Sequence, residues 1–239
     1  MSSIAAMTFE PPLIPGRLIK RYKRFLSDIE LSNGEHITAH CPNPGSMKSC
    51  QPENAPVWVS KSDNPKRKLA YTWELVMAQE RLTLVNTNRA NGIVEEGIRG
   101  GVVEELREFA SLRREVKVGD KSRIDMMLET DDGPCYVEVK NVTLDDGPKR
   151  AAFPDSVTAR GTKHLHELMG LVDQGHRAVL LFCCSRADTE IIRPADEIDP
   201  TYGAALREAG AHGVELLAYA CDMDTVEVRL SRRIDIELP

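Results

Sequence analysis

The sequence predicts two domains of different class: an all-β, OB-like barrel over residues 1–86 and an α/β domain with a central mixed sheet over residues 87–239. Three observations carry this. Up to Asn86, short runs of alternating apolar and polar residues are separated by Pro, Gly and Asn, the pattern of half-buried strands joined by tight turns. Beyond Asn86, helical spacing appears, most clearly where Leu165, Leu168, Met169 and Val172 fall on one face. Finally, Ala178 to Cys184 is almost wholly apolar, as a parallel strand covered on both faces requires.

The elements follow in order. Leu18, Lys20, Tyr22 and Arg24 alternate apolar and basic as in a strand. Ile29 to Cys41 reads as a hairpin turning at Asn33-Gly34, a pair suited to positive φ at both positions. Val57 to Val59, Tyr71 to Met77 and Leu82 to Asn86 complete a strand count that fits an OB-like barrel. In the second domain, Asn88 is placed to cap a helix through Ile93 to Glu96, with Val102 to Phe109 continuing helically. Three strands follow at Leu112–Val118, Arg123–Glu129 and Cys135–Val142, with turns at Gly119-Asp120 and Asp131-Asp132-Gly133. Then come a helix over Ser156–Val172, the apolar strand, a helix over Tyr202–Ala211, and strands at Val214–Ala220 and Thr225–Leu230.

Composition bounds the function. No segment has the apolar length of a membrane span, and the first residues lack the basic and apolar regions of a secretory signal, so a bacterial-type cytoplasm is the expected location. The cysteines at 41, 50, 135, 183, 184 and 221 form no Cys-x-x-Cys pair and are read as reduced, which argues against structural zinc. The net charge of −6 argues against a generally basic nucleic-acid binder. Its distribution does not, because basic residues gather at Arg17, Lys20, Arg21, Lys23 and Arg24 and at Lys66, Arg67 and Lys68. A local patch suffices for phosphate contact, although each cluster is also what a solvated surface looks like. Tyr22, Tyr71 and Trp73 are candidates either for stacking on bases or for the barrel core. No haem or nucleotide cofactor is expected, and a homodimer stays open.

The chemistry concentrates in Arg123-Ile-Asp-Met-Met-Leu128 and Tyr136-Val-Glu-Val-Lys140. Glu138 and Lys140 lie two apart on a strand and so share a face. The turn at Asp131–Gly133 makes the two strands an antiparallel hairpin that brings Asp125 near Glu138. Two converging carboxylates repel unless a cation lies between them, and Mg²⁺ or Mn²⁺ suits such a site, with waters and phosphate oxygens completing the shell. With Lys140 to orient or deprotonate a water, these are the parts for hydrolysing a phosphodiester. A solvated cross-strand ion pair is the plain alternative.

This Asp…Glu-x-Lys arrangement, set in an α-β-β-β-α-β order, resembles the PD-(D/E)xK nuclease superfamily, although Ile124 rather than proline precedes Asp125. The resemblance implies catalytic Asp125, Glu138 and Lys140. It implies metal ligation by Asp125, Glu138 and a carboxylate on the preceding helix, Glu96 with Glu95 as its competitor. The Val139 carbonyl is a further candidate ligand. On the helix after the third strand, Arg160, Lys163, His164 and Glu167 share a face, so Arg160, Lys163 and His164 are candidate DNA contacts.

The resemblance extends beyond this hairpin. Arg21-Tyr-Lys-Arg-Phe-Leu26, Cys41-Pro-Asn-Pro-Gly-Ser-Met47, Arg67-Lys-Leu-Ala-Tyr-Thr-Trp-Glu-Leu75, Val85-Asn-Thr87, Ser122-Arg-Ile-Asp125, Tyr136-Val-Glu-Val-Lys140, Phe153-Pro-Asp155 and Arg160-Gly-Thr-Lys-His-Leu165 together resemble the sugar fermentation stimulation protein A family. That likeness implies an N-terminal OB-like domain, a C-terminal PD-(D/E)xK (restriction endonuclease-like) domain, and DNA binding with little sequence preference. The DNA bound includes single-stranded or structured forms as candidates. It also implies a regulatory effect on sugar, especially maltose, metabolism. Two readings stand: a metal-dependent deoxyribonuclease, or a DNA-binding regulator that does not cut. The rigid loop at Asn43 is read either as a phosphate holder or as a turn whose Asn43 bonds backbone.

Overall fold

A computed structural model of the chain describes residues 6–119 and 122–239, so the turn expected at Gly119-Asp120 falls partly outside the described residues. After a short strand β1 (Met7–Thr8), the first domain contains β2 (Ile14–Tyr22), β3 (Leu26–Leu31), β4 (His36–His40), β5 (Pro56–Lys61), β6 (Tyr71–Ala78) and β7 (Arg81–Leu84). Antiparallel pairing runs β4-β3-β2-β5-β6-β7, and a parallel pairing of β4 with β6 closes β2 to β6 into a five-stranded barrel. Leu18, Ile29, Val57, Val59 and Trp73 fill its interior. Gly16 is needed where β2 crosses β3, since a Cβ there would stand 2.6 Å from the Glu30 carbonyl oxygen.

Two turns differ from expectation. The first strand ends at Tyr22 rather than running through Arg24, because Lys23 (φ 47) and Arg24 (φ 64) form the turn into β3. At Asn33-Gly34 only Gly34 has positive φ, at 85; the Asn33 side chain instead accepts the Glu35 N–H. This is the local Asx bond that makes asparagine a turn residue.

The second domain contains α1 (Ala90–Arg99), β8 (Ser111–Val118), β9 (Ser122–Thr130), β10 (Gly133–Val142), β11 (Leu144–Asp145), β12 (Arg150–Phe153), α2 (Ala159–Asp173), β13 (Arg177–Cys184), β14 (Ile191–Pro194), α3 (Pro200–Ala211), β15 (Glu215–Met223), β16 (Glu227–Arg233) and β17 (Asp235–Ile236). Its mixed sheet has the order β1-β16-β15-β13-β10-β9-β8, with β13 parallel to both β10 and β15. The apolar strand expected in the buried parallel position is β13. The N-terminal β1 pairs with β16 and so belongs to this sheet, not to the barrel.

One expectation fails. The chain does not continue helically through Val102–Phe109: α1 stops at Arg99, Gly101 takes φ 74, and only a single 3-10 turn follows at Glu104–Leu106. Gly100 and Gly101 donate to Glu96 and Ile98, the backward bonds that terminate a helix. The cap also moves. Asn86, not Asn88, accepts a backbone N–H, and it does so for the 3-10 turn preceding α1.

Helix α1 covers one face of the sheet with Ile93, Val94 and Ile98, sharing that core with Leu75 and Leu84 of the first domain. Helices α2 and α3 cover the other face with Leu165, Leu168, Tyr202 and Leu206. A second small sheet, β11-β12-β14-β17, was illegible because its strands are two to four residues long. All six cysteines are buried and free, and burial pushes the Cys135 thiol up to about 11.

Candidate active site and nucleic-acid face

The carboxylates gather where the sheet splits. Pairing of β9 with β10 proceeds antiparallel as far as Val137↔Met126, a register that would next place Glu138 opposite Asp125. There the ladder ends, and the Val139 N–H is taken by the Asp125 carboxylate at 2.8 Å. The side chain thus replaces a strand as acceptor, and it wedges open a seam between β9 and β10. Asn91 on α1 donates to the other Asp125 oxygen at 2.8 Å. Burial first, and the Glu138 charge second, push Asp125 above the usual aspartate range.

Glu138 is 2% exposed. Its Oε1 accepts from Lys140 Nζ at 2.6 Å and contacts His164 Nδ1. Burial alone would raise its carboxyl, but His164 and Lys140 outweigh burial and hold it below the usual glutamate range. Arg160 Nε approaches His164 Nε2 at 3.4 Å, and Lys140 Nζ lies 3.2 Å from His164 Nδ1, so Lys140, His164 and Glu138 Oε1 form one cluster. Glu138 Oε2 is buried with no hydrogen-bond partner. A buried carboxylate oxygen left bare costs free energy unless something absent from the chain itself fills the place.

The competition on α1 resolves by partners. Glu95 is bound by Arg99 and Arg114, whereas Glu96 keeps a buried, unpartnered Oε2 and is raised above its ordinary value by burial. Among the described residues, however, no three His, Cys, Asp or Glu side chains converge as a finished metal cage. Asn91 is the site residue that the sequence does not reveal, since it carries no signal beyond lying one turn before Glu95. His164, expected on the DNA face, is instead buried against Glu138.

The basic residues divide. Arg17, Lys20, Lys23, Arg24, Lys66, Arg67, Lys68, Arg160 and Lys163 are exposed. Arg21 is not available in the same way: its guanidinium donates to the carbonyls of Arg24, Asn43, Gly45 and Ser46. Lys163 holds Ser122 and Glu167. Trp73 is fully buried and cannot stack, whereas Tyr22 and Tyr71 are partly exposed with Lys20 and Lys61 over their rings.

The loop over residues 41–47 is a brace. Asn43 is 3% exposed, accepts the Gly45 N–H and donates to the Val85 carbonyl. Asp155 of the second domain accepts the Met47 N–H at 3.0 Å, so close to the loop that a Cβ on Gly45 would stand 2.2 Å from its carboxylate.

A closed five-stranded barrel of the OB type, joined to an α/β domain with a mixed sheet, defines the class of protein. Family profiles agree with both halves: one described as an SfsA N-terminal OB domain matches residues 19–87, and one described as a sugar fermentation stimulation protein RE domain matches residues 88–227. The chain belongs to the sugar fermentation stimulation protein family. It is 53% identical over 233 residues to the homolog of Maricaulis maris (strain MCS10), covering 97% of this chain and 99% of that one. It is 55% identical over 235 residues to the homolog of Pseudomonas fluorescens (strain Pf0-1), with the same coverage. The solved structure of Pyrococcus furiosus SfsA in complex with Ca²⁺ superposes with a TM-score of 0.88 at 24% identity, over 99% of this chain and 100% of that one, and shows the same fold. No helix among the described residues is long and apolar enough to cross a membrane.

Proposed function

We propose that this protein binds DNA with little sequence preference and hydrolyses its phosphodiesters at the β9–β10 seam, using Mg²⁺ or Mn²⁺. One observation carries the reading: Glu138 Oε2, buried and unpartnered beside Asp125. An all-oxygen donor set of this kind fits a hard divalent cation. The Pyrococcus furiosus protein, which has the same fold, was solved in complex with Ca²⁺, itself a hard divalent cation. Asp125 and Glu138 would hold the ion, with Glu96 and the Val139 carbonyl as further candidates. When bound, such an ion supplies an anchor for a phosphate oxygen and a water primed to attack.

The chain's own groups do the rest. Lys140 is tethered to Glu138 Oε1, and its ammonium would offset negative charge developing on the oxygens of a phosphate held there. His164 contacts the same oxygen and helps to fix the Glu138 carboxylate, whose Oε2 stays unpartnered. Asn91 and the Val139 N–H fix both oxygens of Asp125. Arg17, Lys20, Lys23, Arg24, Lys66, Arg67 and Lys68 offer phosphate contacts from the barrel, and Arg160 and Lys163 from α2.

A second reading is a DNA-binding regulator of sugar metabolism that does not cut. The unfinished metal cage favours it. A cleavage assay on single-stranded, duplex and branched DNA with Mg²⁺ or Mn²⁺, with Glu138→Ala as control, separates the two. Cleavage by wild type that disappears in the variant establishes the enzyme. No cleavage of any form, with DNA binding intact, establishes the regulator.

A further inference from the structure

Between the two domains lies a cleft of about 360 Å³. That is the low end of volumes that hold a small ligand and far too small for a duplex. One wall is the barrel, through Arg24 and the braced loop at Asn43–Gly45. The other is the segment that follows the seam.

The cleft and the candidate site share strand β10: Asn141, three residues past Glu138, lines the cleft. Alternate residues of a strand present their backbone groups to the same edge. Val139 points its N–H to Asp125, so Asn141, the next such residue of β10, presents its own to the edge that β9 has vacated; Asn141 lines the cleft, as does Thr143 just past the end of the strand. Asn141 stands two residues beyond Val139, about 7 Å of strand, comparable to one nucleotide step of an extended single strand.

The lining has the chemistry of a nucleotide seat. Leu144, Phe153 and Pro154 give apolar surface, and Asn141, Thr87 and Thr143 give neutral hydrogen-bonding groups. Asn141 Nδ2 is buried without a partner, while its Oδ1 accepts from Ser185. Arg24 supplies a cation, and Asp155, the acidic group of the lining, is tied to the Met47 N–H. Two apolar side chains are left in solvent nearby: Val157 of the lining, 75% exposed, and Phe25, next to Arg24, 42% exposed. Flat apolar surface with neutral donors suits a base, and the cation suits its phosphate.

We propose that this cleft seats one unpaired nucleotide adjoining the scissile phosphodiester, so that the seam acts on unpaired or frayed DNA strands rather than on a continuous duplex. The inference rests on the nuclease reading above.

The test uses the full chain and three probes: a single strand of about 12 nucleotides, the same sequence as a blunt duplex, and copies of the strand with one abasic site moved through each position. Binding is read by fluorescence anisotropy in EDTA, and cleavage in Mn²⁺. The single strand should bind about tenfold more tightly than the duplex, and one abasic position should lose about tenfold in affinity. Leu144→Trp, which fills the cleft, should remove the preference for the single strand. Val157→Asp should weaken single-strand binding from a rim position exposed enough to leave folding untouched. Equal affinity for strand and duplex with a flat abasic profile overturns the proposal. Duplex cleavage without strand preference overturns it while the nuclease reading stands. Strand preference with a single abasic minimum but no cleavage keeps the nucleotide seat and removes the nuclease reading.

Discussion

Two glutamates in this protein are almost equally buried and are treated in opposite ways. Glu74 in the barrel is 1% exposed, and both of its oxygens are saturated. Oε1 accepts from Ser60 at 2.7 Å and Arg89 at 2.8 Å, and Oε2 accepts from Asn86 at 2.8 Å and Arg89 at 3.0 Å. Glu138, 2% exposed, has Lys140 and His164 on one oxygen and nothing on the other. Burial is therefore not what marks a functional carboxylate here. Completeness of partners is: Glu74 ties the barrel to the start of α1, and Glu138 is left one ligand short.

The largest expected effect breaks the saturated member. Arg89→Ala leaves Glu74 buried without its counter-ion and should cost about 3–5 kcal/mol in denaturant unfolding. Glu138→Gln keeps groups for Lys140 and His164 to meet and should change stability by no more than about 1 kcal/mol. Similar losses in both variants would erase the distinction.

The next effect loads the unsaturated member. Mn²⁺ at a hundred times its dissociation constant should stabilise wild type by about 2.7 kcal/mol, read as a rise in Tm. Asp125→Asn should show no rise and no cleavage. Identical calorimetric isotherms for the two proteins would remove this pair as a metal site.

Acidity sharpens the comparison further. Asp125 titrates above the ordinary aspartate range because of burial and Glu138. Its contribution to metal-free stability is therefore full below the unfolded value and lost as pH rises through the elevated folded one. Glu138 runs the other way: its contribution is present above the unfolded value and lost as pH falls through its depressed folded one. A cation must displace the Asp125 proton, so Mn²⁺ affinity should begin to fall at a pH above the ordinary aspartate range. Affinity that holds steady until that range is reached would show that Asp125 is not a ligand.

The smallest effect concerns groups outside both sites. Replacing Lys66, Arg67 and Lys68 by Ala should leave stability within about 0.5 kcal/mol. The salt dependence of DNA binding should flatten by about 0.9 per lost phosphate contact in duplex DNA. An unchanged slope would take this patch out of the interface.

How much was legible follows from the range of each interaction. The strand and helix periods were local, so the barrel strands, the apolar β13 and the amphipathic α2 could be read from spacing alone. Asp125, Glu138 and Lys140 could be placed together because a hairpin turn fixes cross-strand neighbours that are close in sequence. Gly100-Gly101 is a stop signal that outweighs the apolar residues beyond it. The two-residue strands of the small sheet, and the union of β1 with β16, carry too few residues to show a period.

What only the tertiary structure decided is which polar groups find partners. Arg21 and Arg24 look alike in the sequence, yet one is consumed by loop carbonyls and the other faces the interdomain cleft. Glu95 and Glu96 are adjacent and chemically identical, yet two arginines occupy the first and leave an oxygen of the second bare. His164 reads as one more polar residue on an exposed helix face until packing turns it onto Glu138. Residue type and spacing fix which chemistry is present in the chain. Whether a given oxygen or guanidinium remains free to use it depends on side chains tens of residues away, and only folding brings those within a hydrogen bond.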